Sequence, residues 1–150
     1  MLGVGDEDGQ VLLYDLPSGY LLRRIVAHMG STQSIALGRQ YVASGGRDGR
    51  VLLTLLDGGE PAEVVRHDSS VTSIALGGRH MASGSHDGRV LLTPLDDGVP
   101  EALPVVIAGD YSIRLTINRY LLMIHTPSET LFWHVHRRAH LASLLHLREG

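Results

Sequence analysis

This sequence predicts an all-β chain built from a repeated sheet, and three observations carry the prediction. A polar turn with Asp-Gly at its tip feeds an apolar run three times: Asp8-Gly9-Gln10-Val11-Leu12-Leu13, Asp48-Gly49-Arg50-Val51-Leu52-Leu53 and Asp87-Gly88-Arg89-Val90-Leu91-Leu92. The interval is fixed. The turn aspartates lie 40 and 39 residues apart, and the pairs His28/His67 and Ser44/Ser83 are each 39 apart; self-similarity at one period marks a repeat architecture. Each unit breaks into short apolar runs divided by Gly, Asp, Ser and Pro, whereas a helix pair needs stretches of about 10 residues without such breaks.

The third unit shows the elements in order. Ser70–Leu76, His80–Ser83, Arg89–Leu95 and Val105–Ile107 read as four strands. The turns Asp57-Gly58-Gly59 and Asp96-Asp97-Gly98 separate the third strand from the fourth in successive units, because Asp and Gly supply tight-turn geometry. A period near 40 with four strands per unit fits a propeller blade.

The chain has 150 residues, enough for one domain with a core. Its net charge of -3 is made of interspersed signs, with no basic stripe for nucleic acid. Cysteine is absent, which removes disulfides and zinc-thiolate sites. Met1–Glu7 lacks the basic and apolar regions of a signal peptide. The longest apolar runs, such as Tyr120–Ile124, are too short for a bilayer. The expectation is a soluble cytoplasmic protein that binds neither nucleic acid nor membrane.

The units resemble the WD40 repeat: an opening His, a small-residue strand ending in Ser, an Asp-Gly turn, then a strand carrying an aromatic and often Asp. The aromatic-Asp place holds Tyr14-Asp15 in the first unit and Trp133-His134 in the last, but Thr54-Leu55 and Thr93-Pro94 in the central two. The resemblance implies a WD40-like β-propeller arc of about three to four four-stranded antiparallel blades, not closed in one chain. Aligning the units gives a partial blade at 1–27 with strands two to four, blades at 28–66 and 67–108, and a degenerate blade at 109–150. In that last unit Asp110 stands for the opening His and Ser128-Glu129 for Asp-Gly. Leu141–Leu145 aligns with the fourth strand, although from Arg137 to Arg148 the spacing of Leu141, Leu144, Leu145 and Arg148 also fits a short amphipathic helix.

Two sets, His28/Ser44/Asp48 and His67/Ser83/Asp87, combine the residue types of a catalytic triad. The resemblance implies instead a buried structural network tying the loop before the first strand to the turn between the second and third. A triad also needs an exposed nucleophile and an oxyanion hole. The family's Trp donor to this network is replaced by Thr54 and Thr93. His134, His136, His140 and His146 form the one metal-like constellation, but carboxylates nearby are sparse, so no metal and no cofactor are expected. The Gly-rich strings precede strands and offer no helix N-terminus to a phosphate.

No nucleophile, base and cofactor occur in concert, so a non-catalytic role is expected. The resemblance puts the residue before the turn Asp on a partner-binding rim, here Glu7, Arg47 and His86, with Ser31 and Ser70 beside it. These differ between units while the network repeats. The expected function is a protein–protein interaction module or scaffold, with proteins or peptides as partners. Closed propellers have about four to eight blades, so two outcomes are open for the arc. It is a fragment of a larger WD40 protein, such as a substrate receptor or a propeller-associated enzyme, or it self-associates to complete a propeller. The mid-blade start favours the fragment.

Overall fold

The computed structural model describes residues 1–96, 99–106, 113–127, 129–135 and 139–145. The first sheet holds β1 (Leu2–Gly5), β2 (Gln10–Tyr14) and β3 (Leu21–Val26). The second holds β4 (Thr32–Leu37), β5 (Tyr41–Gly46), β6 (Arg50–Leu55) and β7 (Ala62–Arg66). The third holds β8 (Val71–Gly77), β9 (His80–Ser85), β10 (Arg89–Pro94) and β11 (Glu101–Val106). The fourth holds β12 (Arg114–Ile117), β13 (Leu121–His125), β14 (Glu129–His134) and β15 (Ala139–Leu145). Within each sheet the strands follow chain order and pair antiparallel.

Registers fix which strands correspond. Leu2 pairs with Tyr14, Val42 with Thr54, Met81 with Thr93 and Leu122 with Trp133. So β1 is equivalent to β5, β9 and β13, the second strand of a blade. The innermost strands β4, β8 and β12 pack side by side, while β1 packs on β4. The first sheet therefore contains strands two to four without an innermost one, and the four sheets form an open arc. The segment that fits either a strand or a helix is β15 across 139–145, hydrogen-bonded to β14; a strand satisfies its backbone groups on an existing edge. The remainder of 137–148 lies outside the described residues, as do Asp97, Asp110 and Ser128.

Alternation along each strand gives every sheet two apolar faces, and neighbouring sheets cover them in turn. Val11, Leu13 and Ile25 of the first sheet pack on Val42 and Leu52 of the second. Ala43, Val51 and Val65 pack on Val71, Ile74 and Met81 of the third. Val90, Leu92 and Leu103 pack on Leu115, Leu122, Ile124 and Trp133 of the fourth. Two serines stitch the innermost strands: Ile74 N–H donates to Ser34 Oγ at 2.9 Å, and Leu115 N–H to Ser73 Oγ at 3.1 Å. The series stops at the outer face of the first sheet. Leu2 is 46% exposed there, against 1% for Val42 and 0% for Met81 at the same register place; Val4 and Val26 beside it are exposed too.

How tightly sheets approach differs from blade to blade. Gly45 pairs with Val51 and Gly84 with Val90, so the two glycines are equivalent. A Cβ on Gly45 would overlap Val71 and lie 2.9 Å from Ile74 Cδ1, whereas one on Gly84 would sit 3.6 Å from Ile113 and Leu115. Gly45→Ala is expected to destabilise by about 1–3 kcal/mol through overpacking. Gly84→Ala should stay within about 0.5 kcal/mol. Urea midpoints measure both, and equal losses would contradict this packing.

Candidate functional site: the turn face and its ties

In the first three sheets the turn between the second and third strands of the blade rests on a glycine in left-handed conformation, with φ of 81° at Gly9, 80° at Gly49 and 82° at Gly88. Glycine takes that conformation without the steric cost of a Cβ. In the second and third blades the aspartate before it reaches across to the loop that enters the blade. Asp48 Oδ1 accepts from Arg50 N–H at 3.1 Å and Oδ2 from Met29 N–H at 3.0 Å. Asp87 Oδ1 accepts from Arg89 N–H at 2.9 Å and Oδ2 from Asp68 N–H at 3.1 Å. His28 Nδ1 lies 3.1 Å from Asp48, and its Nε2 3.0 Å from Ser44 Oγ. His67 repeats this, with Nδ1 3.0 Å from Asp87 and Nε2 2.9 Å from Ser83 Oγ. The backbone adds a third tie where His67 N–H donates to the Gly49 carbonyl at 2.8 Å.

Burial lowers the His28 pKa, outweighing the opposing charge of Asp48. The ring is therefore neutral, with Nδ1–H donating to Asp48 and Nε2 accepting from the Ser44 hydroxyl. Burial pushes Asp48 and Asp87 upward, but two backbone amides and the adjacent histidine prevail, and both carboxyls stay below their ordinary value. Ser44 and Ser83 are buried inside the blades, so neither hydroxyl faces a substrate.

Variation around the ties is as informative as the ties. Thr54 and Thr93 are buried at the aromatic place, but Thr93 Oγ1 makes no hydrogen bond among the described residues. The threonine there does not extend the chain of bonds from Ser83. The Trp133 indole N–H is likewise buried and unbonded among those residues, and Ile124 stands where Ser44 and Ser83 stand in their blades. In the first sheet Asp6 holds the turn by accepting from Gln10 N–H at 2.8 Å. Turn spacing alone points to Asp8, because it cannot show which nearby carboxylate faces the amides.

The rim residues come together in pairs. Arg47 N–H donates to the Ser31 carbonyl at 2.9 Å, and His86 N–H to the Ser70 carbonyl at 3.0 Å. Glu7, Ser31 and Arg47 line one cleft of about 650 Å³ with Asp6, Thr32 and Gln33. His86 and Ser70 stand one blade further along and do not line it. A second cleft, of about 580 Å³, is lined by Thr72, Ser73, Arg114, His125 and Thr126. Arg114 and His125 escape sequence reasoning because the last unit has lost its Asp-Gly marker. Exposed Met29, beside His28, also belongs to this face. Among the described residues no three metal-ligating side chains converge. Of the histidine constellation, His134 lies on β14, while His136, His146 and the His140 side chain lie outside the described residues.

The WD domain, G-beta repeat family matches residues 59–92. That stretch is similar to a WD40 repeat. It runs from the turn before β7 into β10 and contains His67, Ser83 and Asp87. No curated protein matches the chain. The fold is that of WD40-like propellers of known structure. The computationally designed Ika8 protein is 20% identical, with a TM-score of 0.78 over 94% of this chain and 45% of its own. A chain in the structure of the mitotic checkpoint complex is 20% identical, with a TM-score of 0.81 over 95% and 46%. The designed Ika4 protein is 20% identical, with a TM-score of 0.76 over 89% and 84%. The chain thus spans less than half the length of the first two.

Asp87→Ala leaves a buried histidine and two amides unpaired and is expected to cost about 1–3 kcal/mol. Asp96→Ala, which removes a largely exposed partner of Arg79, should change little. Thermal melts of the two variants check this, and equal midpoints would contradict it. Stability should also depend on pH in two stages. His28 has a lowered pKa in the fold, so its contribution is complete above the unfolded value of 6.5 and declines as pH falls below it. Asp48 and Asp87 contribute above the ordinary carboxyl value of 3.8, and their contribution is lost as pH falls through the depressed folded value. Denaturant midpoints across roughly pH 8 to 3 should show both declines, and His28→Asn should remove the first.

Proposed function

We propose that the chain is a non-catalytic protein–protein interaction module whose partner docks on the rim built by Glu7, Ser31, Arg47, Ser70 and His86. WD40 repeats generally mediate protein–protein interaction. The observation that carries this reading is the contrast within one face. The tied residues repeat in the second and third blades, while the exposed residue before the turn aspartate changes from Glu7 to Arg47 to His86 across the first three. Rigid loops with variable exposed side chains are what selective recognition needs. The network residues act as a frame for that surface, and we place the module in the cytoplasm.

A second reading rests on its own observation. The uncovered apolar face at Leu2 and Val4 matches faces that other blades bury. On this reading the chain is one sector of a larger WD40 propeller, and a further blade covers that face.

The first reading is tested by capturing proteins from a cell extract on the immobilised chain. Arg47→Glu with His86→Glu should abolish the captured species without moving the melting temperature. Arg24→Glu, on the outer strand of the first blade, should leave capture intact. Unchanged capture by the rim variant would refute the assignment.

A further inference from the structure

The first blade has an open strand edge whose chemistry the other blades define. β1 ends its sheet with one edge unpaired. In the second and third blades the equivalent strands β5 and β9 pair along that edge with β4 and β8. Both of these partners carry Ser-Ile-Ala-Leu-Gly, at 34–38 and 73–77. In each the serine stands opposite a glycine, Ser34 opposite Gly45 and Ser73 opposite Gly84. Gly5 holds the same place on β1, as its pairing with Val11 shows.

Two amides flank this edge. The serine of each innermost strand reaches forward to the next: Ser34 Oγ accepts from Ile74 N–H at 2.9 Å, and Ser73 Oγ from Leu115 N–H at 3.1 Å. Ile35 is the counterpart of Ile74 and Leu115, since the three stand opposite Ser44, Ser83 and Ile124. Among the described residues no hydroxyl of a preceding strand reaches Ile35 N–H. The rim end repeats this contrast. Arg47 N–H donates to the Ser31 carbonyl at 2.9 Å and His86 N–H to the Ser70 carbonyl at 3.0 Å, each carbonyl three residues before a stitching serine. Glu7 is their counterpart before the first turn, and among the described residues no carbonyl of an innermost strand meets its N–H. Burial agrees with both: Ile35 is only partly buried, whereas Ile74 and Leu115 are buried.

The register of the other blades specifies what fits. A strand added antiparallel to β1 sets serine opposite Gly5, isoleucine opposite Val4, alanine opposite Gly3 and leucine opposite Leu2. Directly opposed residues share a face, so the isoleucine and leucine extend the exposed apolar stripe of Leu2 and Val4. The serine and alanine turn toward the second sheet, where the serine meets Ile35 N–H. The edge thereby continues the stitched interface that already joins the second sheet to the third and the third to the fourth. A second copy of the chain offers no such strand among the described residues. The outer strands β3, β7 and β11 contain no serine, β15 follows Ser143 with Leu144-Leu145 and so lacks the small residue, and β12 carries Arg114 at the serine place. We propose that the β1 edge binds, by strand addition, an extended segment of a partner protein with the pattern serine, branched apolar, small, apolar. This goes beyond both readings of function above, since it concerns a backbone edge rather than the turn side chains or the apolar face.

The test uses the full chain and a fluorescein-labelled peptide with the sequence of residues 68–77. Fluorescence anisotropy should show saturable binding of this peptide and none of a scrambled one. The same peptide with Ser73→Ala should bind about two- to tenfold more weakly, as expected for losing one hydrogen bond. Amide hydrogen exchange locates the site. The peptide should slow exchange at Glu7 and Ile35 and leave Met29 unchanged, and the alanine peptide should protect Glu7 but not Ile35. Arg47→Glu with His86→Glu in the chain should leave peptide binding intact, so this edge and the rim stand or fall separately. Absence of binding, equal binding of the scrambled peptide, or unchanged exchange at Glu7 and Ile35 would overturn the proposal. So would a dimer of the chain in which Ile35 is protected without peptide, which would assign the edge to a second copy.

Discussion

Two half-buried carboxylates govern what this molecule can present. Asp48 and Asp87 each collect two backbone amides and a histidine from different segments. Each therefore joins the loop entering its blade to the turn between the second and third strands. Without such a tie these loops would be independent surface segments. With it, Arg47 and Ser31, or His86 and Ser70, keep one relative position. A carboxylate so held stays ionised inside the blade because several donors replace water. The same arrangement makes each member costly to remove singly.

Stacking supplies the second constraint. A sheet with two apolar faces is stable only when both are covered, and three of the inter-sheet contacts this demands occur within the chain. An open arc leaves an outer face at each end that no sheet of the chain covers, and the first sheet shows one of them. Leu2 and Val4 occupy places that are buried in the other blades, and β1 has one edge without an innermost strand. Such an edge offers unpaired backbone groups to another strand. Rim and open face thus occupy two separate parts of one scaffold, each with its own chemistry.

Much of this architecture was legible in the sequence. The interval between Asp48 and Asp87, kept in step by His28/His67 and Ser44/Ser83, is enough to set strand number, turn positions and the missing first strand. The tie was legible only through family resemblance, since spacing cannot reveal that His28 bridges Asp48 and Ser44. Finer geometry was not legible. That Thr93 stays out of the bonded chain depends on side-chain reach. That Asp6 rather than Asp8 holds the first turn depends on which carboxylate faces the amides.

The central claim is that aspartate ties hold the rim loops on the blades. Amide hydrogen exchange at Met29 and Asp68 tests it most directly. Both N–H groups lie in connecting loops, and each has a turn carboxylate as acceptor. The ties predict exchange at least about 100-fold slower than in an unstructured peptide, since these loops should open only when a buried network breaks. Exchange of both amides at the unprotected rate would contradict the account.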